Sequence, residues 1–533
     1  MPVIAAGVIF NAISAVIVFM VVFLIGINLP PAVIGGVVSG SPAAFAGLKP
    51  GDEVIEIAGK SDNLDFSNIK IAAALSDVNE AVALKVRHED GSIEDFALVA
   101  GQMRGEQLRT FGIQPAISLT VARVSDANEL FAKTGLLPGD RIKSVNGKDV
   151  ETHWELEKIV QNAFVPEVAI LAERTGPVSR EVELIESRIP MALNFERVWD
   201  KAEAEPGHIY SMAPRLRVSD VDTGRKLRKG DIILAVGDID NPTHEELRDV
   251  TKAYEGKELP IEVLRSDANG IEKSHTVTVV PKRRRGSDRV VIGIGPALDA
   301  EHPVVAKTIG TEGGPAPLEI PRGASITAVD GEAVSNFFDV IREIGRYPGE
   351  RITIDWRLTD EIAGYAALDV GTGGGFVTIQ SGFAEFIPFK RVERVYKAGG
   401  PVDAIVMGYK KTVMFIAQTY VTLRHLVRGL ISPKNLMGPI GILAFSYHIV
   451  AEQPLVYYVY FLGLISACVA VFNFLPLPPL DGGLIVLLLV EKIKGSAVSQ
   501  RVQEAIAYAG WVLVGTLFLY VTFNDIVRSF FGG

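Results

Sequence analysis

The stretch Asn473-Phe-Leu-Pro-Leu-Pro-Pro-Leu-Asp-Gly-Gly483 decides the fold class, because it places a carboxylate and three prolines inside an apolar region. The apolar runs 456–472 and 484–490 flank it, and together they are long enough to cross a bilayer, which takes roughly 20 residues. A carboxylate at membrane depth is costly, and broken backbone is tolerated there only where protein or water covers it. The pattern therefore predicts that Asp481 faces a polar cavity and has a function. The alternative is a proline-kinked span in which Asp481 pairs with Asn473 or with a neighbouring helix.

The composition indicates a membrane protein with separate polar domains. The chain has 533 residues, which is more than a single hydrophobic core usually holds. Apolar residues make up 48% and charged residues 22%, so apolar spans and polar domains must be segregated along the chain. The net charge of -10 argues against nucleic acid as a partner. The single cysteine, Cys468, excludes an internal disulfide.

A repeated pattern of glycine turns and alternating apolar residues occupies the polar part of the chain. It is clearest in 47–59 and 135–147, and it returns in 227–237 and more weakly in 320–331. The copies recur about every 90 residues, which is the size of a small domain rather than of a solenoid repeat. Each copy predicts a strand between two turns, then an amphipathic helix such as 152–162, then further strands.

This pattern resembles the PDZ domain of bacterial proteases, most closely in the first two copies. PDZ domains bind extended peptides by adding a strand to an open sheet edge. The corresponding edge of the first copy is 33–38. The residues that the resemblance assigns to peptide binding are Ile34, Gly35, Gly36 and Val37. Alternatively, the copies act only as spacers or as a size filter over a membrane site.

The apolar stretches predict the membrane topology. Residues 3–27 are almost wholly apolar, and their length and the lack of a preceding basic region favour a retained span over a secretory signal. The last span is 505–523, and the Lys- and Arg-rich loop 491–501 before it is predicted to be cytoplasmic. This places the repeated copies outside and the first residue inside. Residues 403–428 carry too many charges to span and predict a helix that lies along the interface.

At the Asp481 stretch the sequence resembles the site-2 protease family, the intramembrane zinc metalloproteases with the signature Asn-x-x-Pro-x-Pro-x-Leu-Asp-Gly. By this resemblance Asp481 is a ligand of Zn2+. The run Ala5-Ala-Gly-Val-Ile-Phe-Asn11 is similar to the second membrane helix of the same family, with Val8 in place of a proline. The residues that the resemblance assigns to substrate positioning are Asn435, Gly438, Asn473, Pro476 and Pro478.

The family takes its other zinc ligands and its general base from a His-Glu-x-x-His helix, and this sequence contains no such motif. His244 begins the nearest match, but Arg248 stands where the second histidine is needed. His448, near a membrane helix, fits a satisfied or interfacial histidine better than a substitute ligand. We therefore predict no catalytic residue in this chain and no cleavage by it alone. We expect residue 1 to be an internal Met of a longer gene product; the alternative is a truncated homologue without catalysis.

The predicted fold is multidomain: an α-helical transmembrane core of about three spans, with tandem β-rich, PDZ-like α+β domains between the first and later spans. The predicted division is a transmembrane helix 1–29, PDZ-like domains 30–103, 104–190, 191–286 and 287–398, an amphipathic interfacial helix 399–430, and a membrane domain 431–533.

By resemblance, the function is zinc-dependent cleavage of membrane substrates in regulated intramembrane proteolysis. The expected partners are a single-span, anti-sigma-factor-like substrate, extended peptides at the PDZ-like domains, and the bilayer of the bacterial inner membrane, which the chain crosses several times. The competing class is a non-catalytic, membrane-anchored adaptor whose PDZ-like domains gather partners. A transporter fits poorly, because the spans are too few.

Overall fold

The structure is a computed structural model that describes most of the chain in two compact units. The described residues are 2–103, 108–176, 181–195, 207–222, 226–267, 270–283, 289–310, 317–371, 379–428, 436–476, 480–496 and 498–531. Unit 1 comprises Met1–Ala116 and Arg391–Gly533, and unit 2 comprises Ile117–Lys390. Unit 1 thus combines the first repeated copy with the apolar helices, and unit 2 contains the other three copies.

The first part of unit 1 is a long apolar helix followed by a small β-rich domain. Its elements are α1 (Pro2–Ile25), β1 (Ile27–Leu29), β2 (Ile34–Val37), α2 (Pro42–Phe45), β3 (Glu53–Ile57), α3 (Phe66–Leu75), β4 (Ala81–Arg87), β5 (Ile93–Val99) and β6 (Ile113–Pro115). Strands β3, β4 and β5 form an antiparallel sheet, and β2 pairs with β6. The domain has a hydrophobic core of its own, which includes Val54, Ile69 and Leu84.

Unit 2 is built from three further copies. Its elements are β7 (Ile117–Val121), α4 (Ala127–Thr134), β8 (Arg141–Val145), β9 (Lys148–Asp149), α5 (His153–Gln161), β10 (Glu167–Thr175), β11 (Val182–Phe195), β12 (Met212–Pro214), β13 (Leu216–Val221), β14 (Ile232–Val236), β15 (Ile239–Asp240), α6 (His244–Ala253), β16 (Leu259–Ser266), β17 (Glu272–Val279), β18 (Lys282–Arg283), β19 (Val290–Val291), β20 (Ile294–Leu298), β21 (Val305–Thr308), β22 (Ser325–Val329), β23 (Glu332–Ala333), α7 (Phe337–Ile344), β24 (Arg351–Arg357), β25 (Ala363–Asp369), β26 (Ile379–Phe383) and β27 (Phe389–Arg391). The larger sheets have the strand orders β26-β11-β10-β8-β7-β27, β17-β16-β14-β13-β20 and β23-β22-β24-β25. One cluster of buried apolar side chains runs through all three copies.

The elements follow one another in the same order in each copy, as the sequence repeat predicts. The order is β8-β9-α5-β10-β11 in the second copy, β14-β15-α6-β16-β17 in the third and β22-β23-α7-β24-β25 in the fourth; the first has β3-α3-β4-β5. Each helix begins after a residue whose side chain accepts a hydrogen bond from the first turn. These N-caps are Asp65, Thr152, Thr243 and Asn336. Such a side chain satisfies an N–H group that has no partner within the helix.

The aspartate of the Gly-Asp turn has equivalent partners in three copies. Its carboxylate accepts the N–H of the residue three positions earlier and contacts a basic side chain 34 or 36 positions later. The pairs are Asp52 with His88, Asp140 with Arg174, and Asp231 with Arg265. In the fourth copy the equivalent positions are Ala324 and Leu358, so an apolar pair replaces the charged one. This joint replacement explains why the fourth sequence match is weak although the order of elements is kept.

Replacing Arg174 with leucine should lower the free energy of unfolding of unit 2 by about 3–5 kcal/mol, because it leaves a buried charge unpaired. The Asp140 side chain is only 1% exposed, and its carboxylate lies 2.7 Å from Arg174. The double variant Asp140→Ala with Arg174→Leu reproduces the pair of the fourth copy and should recover most of the loss. Urea unfolding of the protein in detergent measures both effects. A double variant that is less stable than the single one would contradict this account.

The equivalent pair in the first copy should depend on pH, because it contains a histidine. The hydrogen bond from His88 to Asp52 raises the pKa of His88 above 6.5. Its contribution to stability is therefore complete below pH 6.5 and is lost as the pH rises through the folded-state pKa. We expect the melting temperature of the wild type to fall, relative to His88→Arg, between pH 6 and 9. Parallel melting curves for the two proteins over this range would show that the pair does not titrate.

The last part of unit 1 is mainly helical. Its elements are β28 (Arg394–Tyr396), α8 (Pro401–Val427), α9 (Pro439–Glu452), α10 (Leu455–Asn473), α11 (Asp481–Lys494) and α12 (Gln500–Phe531). Within the described residues, Leu455–Asn473 and Gln500–Val527 are long and apolar enough to cross a membrane. The predicted first span, 3–27, corresponds to α1. The apolar part of α1 among the described residues, Ile9–Ile25, is shorter than these two candidate spans.

Helix α8 packs against α1 and α10 and forms ion pairs near both ends of α3. Near the start of α3, Lys411 Nζ lies 2.8 Å from Asp65, and the lysine side chain is only 10% exposed. Just beyond the end of α3, Arg424 and Arg428 each lie 3.4 Å from Asp77. Several of the charged residues on which the prediction of an interfacial helix depends therefore form ion pairs with residues of the first copy.

Candidate functional site

The Asp481 stretch forms a break between two helices. Helix α10 ends at Asn473, and α11 begins at Asp481. The chain turns after Asn473, where the N–H of Leu475 donates to the carbonyl of Phe472 at 3.0 Å. Proline has no N–H to donate and cannot continue the helix, which explains why regular structure stops before Pro476. Pro478 lies outside the described residues.

Gly482 allows the start of α11 to pack closely against the end of α10. A Cβ at this position would overlap the carbonyl oxygens of Phe474 and Leu475 and would lie 2.6 Å from the carbonyl carbon of Phe474. Gly482 is buried. The glycine after the aspartate in the motif is therefore required by space, and it fixes where Asp481 stands.

The carboxylate of Asp481 lies against α1. A Cβ on Gly7 would be 2.9 Å from Asp481 Oδ2, so the carboxylate contacts the backbone surface that this glycine leaves open. Gly7 belongs to the Ala-Ala-Gly run that resembles a second membrane helix of the site-2 proteases. The structure thus brings together the two stretches on which that resemblance depends.

Close packing of α1 against α10 supports this contact. The Ser466 hydroxyl donates to the carbonyl of Asn11 at 2.9 Å. Farther along the helices, a Cβ on Gly463 would lie 2.9 Å from the ring of Phe19, and Phe19 meets Tyr460 edge to face at 5.3 Å. These contacts fix the end of α10, and with it Asn473, relative to α1.

The glycine loop before α9 contacts α12. The N–H groups of Gly438 and Gly441 donate to Asp525 at 3.1 and 2.7 Å, and a Cβ on Gly438 would lie 2.9 Å from the carbonyl of Val521. Gly438 is therefore fixed on α12. Asn435, the other residue predicted in this loop, lies outside the described residues.

The described residues supply one candidate zinc ligand at the break. Catalytic zinc takes three protein ligands and keeps a fourth position open. No group of three His, Cys, Asp or Glu side chains with metal-binding proximity occurs among the described residues. A carboxylate next to a glycine is a suitable donor, but Asp481 by itself does not make a zinc centre.

The predicted peptide-binding edge of the first copy is not free. Gly36 and Val37 pair with Gln114 and Ile113 of β6, and the N–H of Ile34 donates to the carbonyl of Asp52 on the other side. The prediction of an open edge at 33–38 is therefore wrong, because these backbone groups already have partners. Within the described residues, β6 pairs with β2 and with no other strand, so its second edge is not part of a sheet.

The two histidines considered as ligands lie elsewhere. His448 is on α9, where its Nδ1 is 3.1 Å from Glu452 and its side chain is 62% exposed. This contact fits the interpretation of a satisfied histidine. His244 is the first residue of α6 in unit 2, and its ring packs against Phe195 at 5.2 Å.

Among the buried charged groups that sequence reasoning missed, two lie on the long helices of unit 1. Asp525 is 2% exposed, and Lys411 is 9% exposed. The signal for Asp525 was a carboxylate next to an apolar run, which is the same signal that singled out Asp481. Lys411 gave no such signal, because it stands beside Lys410 and is one of the charges that predict an exposed face of an interfacial helix.

Two apolar helices of spanning length among the described residues, together with a carboxylate at a proline break beside another helix, are features expected of a membrane protein. The chain belongs to Peptidase family M50, because the sequence model of that family matches residues 1–517. This confirms the membership in the site-2 protease family that the motif at Asp481 predicts.

Curated relatives agree with this assignment. The chain is 33% identical over 211 residues to "Regulator of sigma-E protease RseP" of Escherichia coli (strain K12), covering 39% of this chain and 46% of the relative. It is 29% identical over 242 residues, 44% of this chain and 53% of the relative, to the protein of the same name from Salmonella typhimurium (strain 14028s / SGSC 2262). It is 26% identical over 274 residues, 48% of this chain and 58% of the relative, to "Putative zinc metalloprotease" of Xylella fastidiosa (strain Temecula1 / ATCC 700964). The chain spans about half the length of these curated relatives.

Proposed function

We propose that this chain is part of an intramembrane zinc metalloendopeptidase that cleaves single-span membrane proteins in regulated intramembrane proteolysis. The observation that carries the proposal is the position of Asp481, at the start of α11 and against Gly7 of α1. Asp481 would be one zinc ligand. The histidine ligands and the general base would come from a His-Glu-x-x-His helix, a motif that this sequence does not contain, so the chain alone would not cleave. When bound, zinc supplies an acidified water and polarises the scissile carbonyl.

The chain's own contribution is to shape the place where substrate meets the metal. A peptide bond within a helix is hydrogen-bonded and hidden, so the substrate must unwind before it is cut. Helix α10 ends at Asn473 and α11 begins at Asp481. The described residues 474–476 and 480 lie outside both helices, and irregular backbone of this kind can exchange hydrogen bonds with an unwound segment. Asn473 and Pro476 lie at the entrance to this break. Gly438 would position the substrate from the loop before α9.

We assign the four repeated copies to PDZ-like domains on the extracytoplasmic side of the bacterial inner membrane. The repeated order of strands and helix supports the domain type, and the Lys- and Arg-rich loop 491–501 supports the side of the membrane. Because β2 is paired on both sides, an extended peptide that binds the first copy would add to β6 rather than to Ile34–Val37. The substrate would be anti-sigma-factor-like, and the proposal is supported only by the word sigma-E in the names of the enterobacterial relatives.

Metal removal tests the proposal. The natural full-length protein, purified in detergent, should cleave a single-span substrate, lose this activity with a zinc chelator, and regain it when zinc is added back. The competing function is a membrane-anchored adaptor. The observation that favours it is that the described residues supply one candidate ligand, whereas catalytic zinc takes three. Peptide binding by the repeated copies with no cleavage under any metal condition would establish the adaptor instead.

A further inference from the structure

Helix α9 starts without a capping side chain of its own. Its N-cap is Gly438, and Pro439 is its first residue. The first N–H groups of a helix have no partner within the helix, and an unpaired N–H in apolar surroundings is costly. A partner must therefore come from elsewhere.

Asp525 of α12 supplies that partner. Its two carboxylate oxygens accept from different N–H groups, Oδ1 from Gly438 at 3.1 Å and Oδ2 from Gly441 at 2.7 Å. The Asp525 residue is 2% exposed. A negative charge is favourable at a helix N-terminus, so the buried carboxylate and the uncapped helix stabilise each other.

The two glycines are fitted to this carboxylate. A Cβ on Gly438 would lie 2.7 Å from Asp525 Oδ2, and a Cβ on Gly441 would lie 3.0 Å from Oδ1. Any larger side chain would push α12 away from the first turn of α9. The Gly-Pro-x-Gly sequence at 438–441 and the aspartate on α12 therefore form a single structural unit.

We propose that Asp525 is a positioning residue that fixes the first turn of α9, residues 438–441, on α12 for substrate binding. The inference rests on the proposed function, because Gly438 belongs to the loop assigned to substrate. Asp525 acts through this turn and not on the metal, since both of its oxygens are engaged by N–H groups. Its loss should therefore weaken substrate binding and leave zinc in place.

The test compares Asp525→Asn with the matched control Glu504→Gln, both in the natural full-length protein. Asparagine keeps the size of the side chain but loses the charge and one acceptor oxygen. Glu504 is an exposed acid on the same helix whose carboxylate accepts from Gln500. Three quantities are measured: amide hydrogen exchange across 436–445, zinc per protein, and KM and kcat on a single-span substrate.

We expect Asp525→Asn to speed exchange at the first turn of α9 by about 10–100-fold, the size expected for hydrogen bonds to a charged group. KM should rise with little change in kcat, and zinc content should stay at the wild-type level. Glu504→Gln should match the wild type in all three measurements. Asp525→Ala should exceed Asp525→Asn in its effect on exchange, because it removes both acceptors.

Three results would overturn the inference: unchanged exchange, faster exchange with unchanged KM, or loss of zinc in Asp525→Asn. A wild-type protein that binds no zinc and cleaves nothing would instead refute the proposed function, and the positioning role would be refuted with it. The behaviour of the wild type therefore separates the two failures.

Discussion

In the natural full-length protein, the Asp481→Ala variant is expected to lose zinc-dependent cleavage almost completely. Catalytic zinc has only three protein ligands, so removing one leaves too few donors to hold it. Changing a group that merely supports a ligand already costs about 10–100-fold in affinity or activity. Loss of the ligand itself should therefore lower kcat/KM by more than about 100-fold. The measurement is kcat/KM on a single-span substrate with saturating zinc.

Two further variants separate the ligand role from a general effect of the mutation. Asp481→Asn keeps the shape of the side chain but removes its charge, and it should lose activity like the alanine variant. Asp403→Asn makes the same change in the first turn of α8, where the carboxylate accepts only the N–H of Gly399 at 2.8 Å among its described hydrogen bonds. That control should keep the wild-type rate. Wild-type activity in Asp481→Ala would exclude Asp481 as a ligand.

Replacing Gly482 with alanine should have the second largest effect, although it changes no chemical group at the site. The added Cβ would overlap two backbone carbonyl oxygens at the end of α10, and backbone cannot move aside as a flexible side chain can. We expect a loss of stability of about 1–3 kcal/mol or more. Because Asp481 directly precedes this residue, its carboxylate should also leave its place beside Gly7, and cleavage should fall with it.

The control for this prediction is Gly515→Ala. Gly515 lies on α12, and a Cβ there would meet nothing within 4 Å. That variant should be neutral or more stable by up to about 1 kcal/mol, since alanine is the better helix former. Thermal inactivation in detergent and kcat/KM should be measured for both variants. Equal behaviour of the two would contradict the packing argument at Gly482.

Local features of the structure were predictable because they depend on neighbouring residues. The prolines after Asn473 end α10 where the sequence places the break, and α11 begins at Asp481. The capping side chain of Thr152 begins α5, where the helix 152–162 is predicted. The Gly-Asp turns likewise predict where the strands of each copy lie.

Features that join distant parts of the chain were not predictable in this way. The pairing of β2 with β6 covers the edge assigned to peptide, and nothing in 33–38 signals a partner at 113–115. The contact between Gly7 and Asp481 and the capping of α9 by Asp525 both join separate helices. A glycine or a carboxylate in an apolar run indicates that some neighbour approaches closely. The sequence does not identify that neighbour.

The zinc content of the natural full-length protein, measured beside that of Asp481→Ala, tests the central claim most directly. If Asp481 is a ligand, the native protein should carry about one zinc and the variant should lose most of it. Zinc content does not depend on knowing the substrate, so a poor choice of substrate cannot obscure the result. Equal zinc in the two proteins, or no zinc in either, would contradict the account.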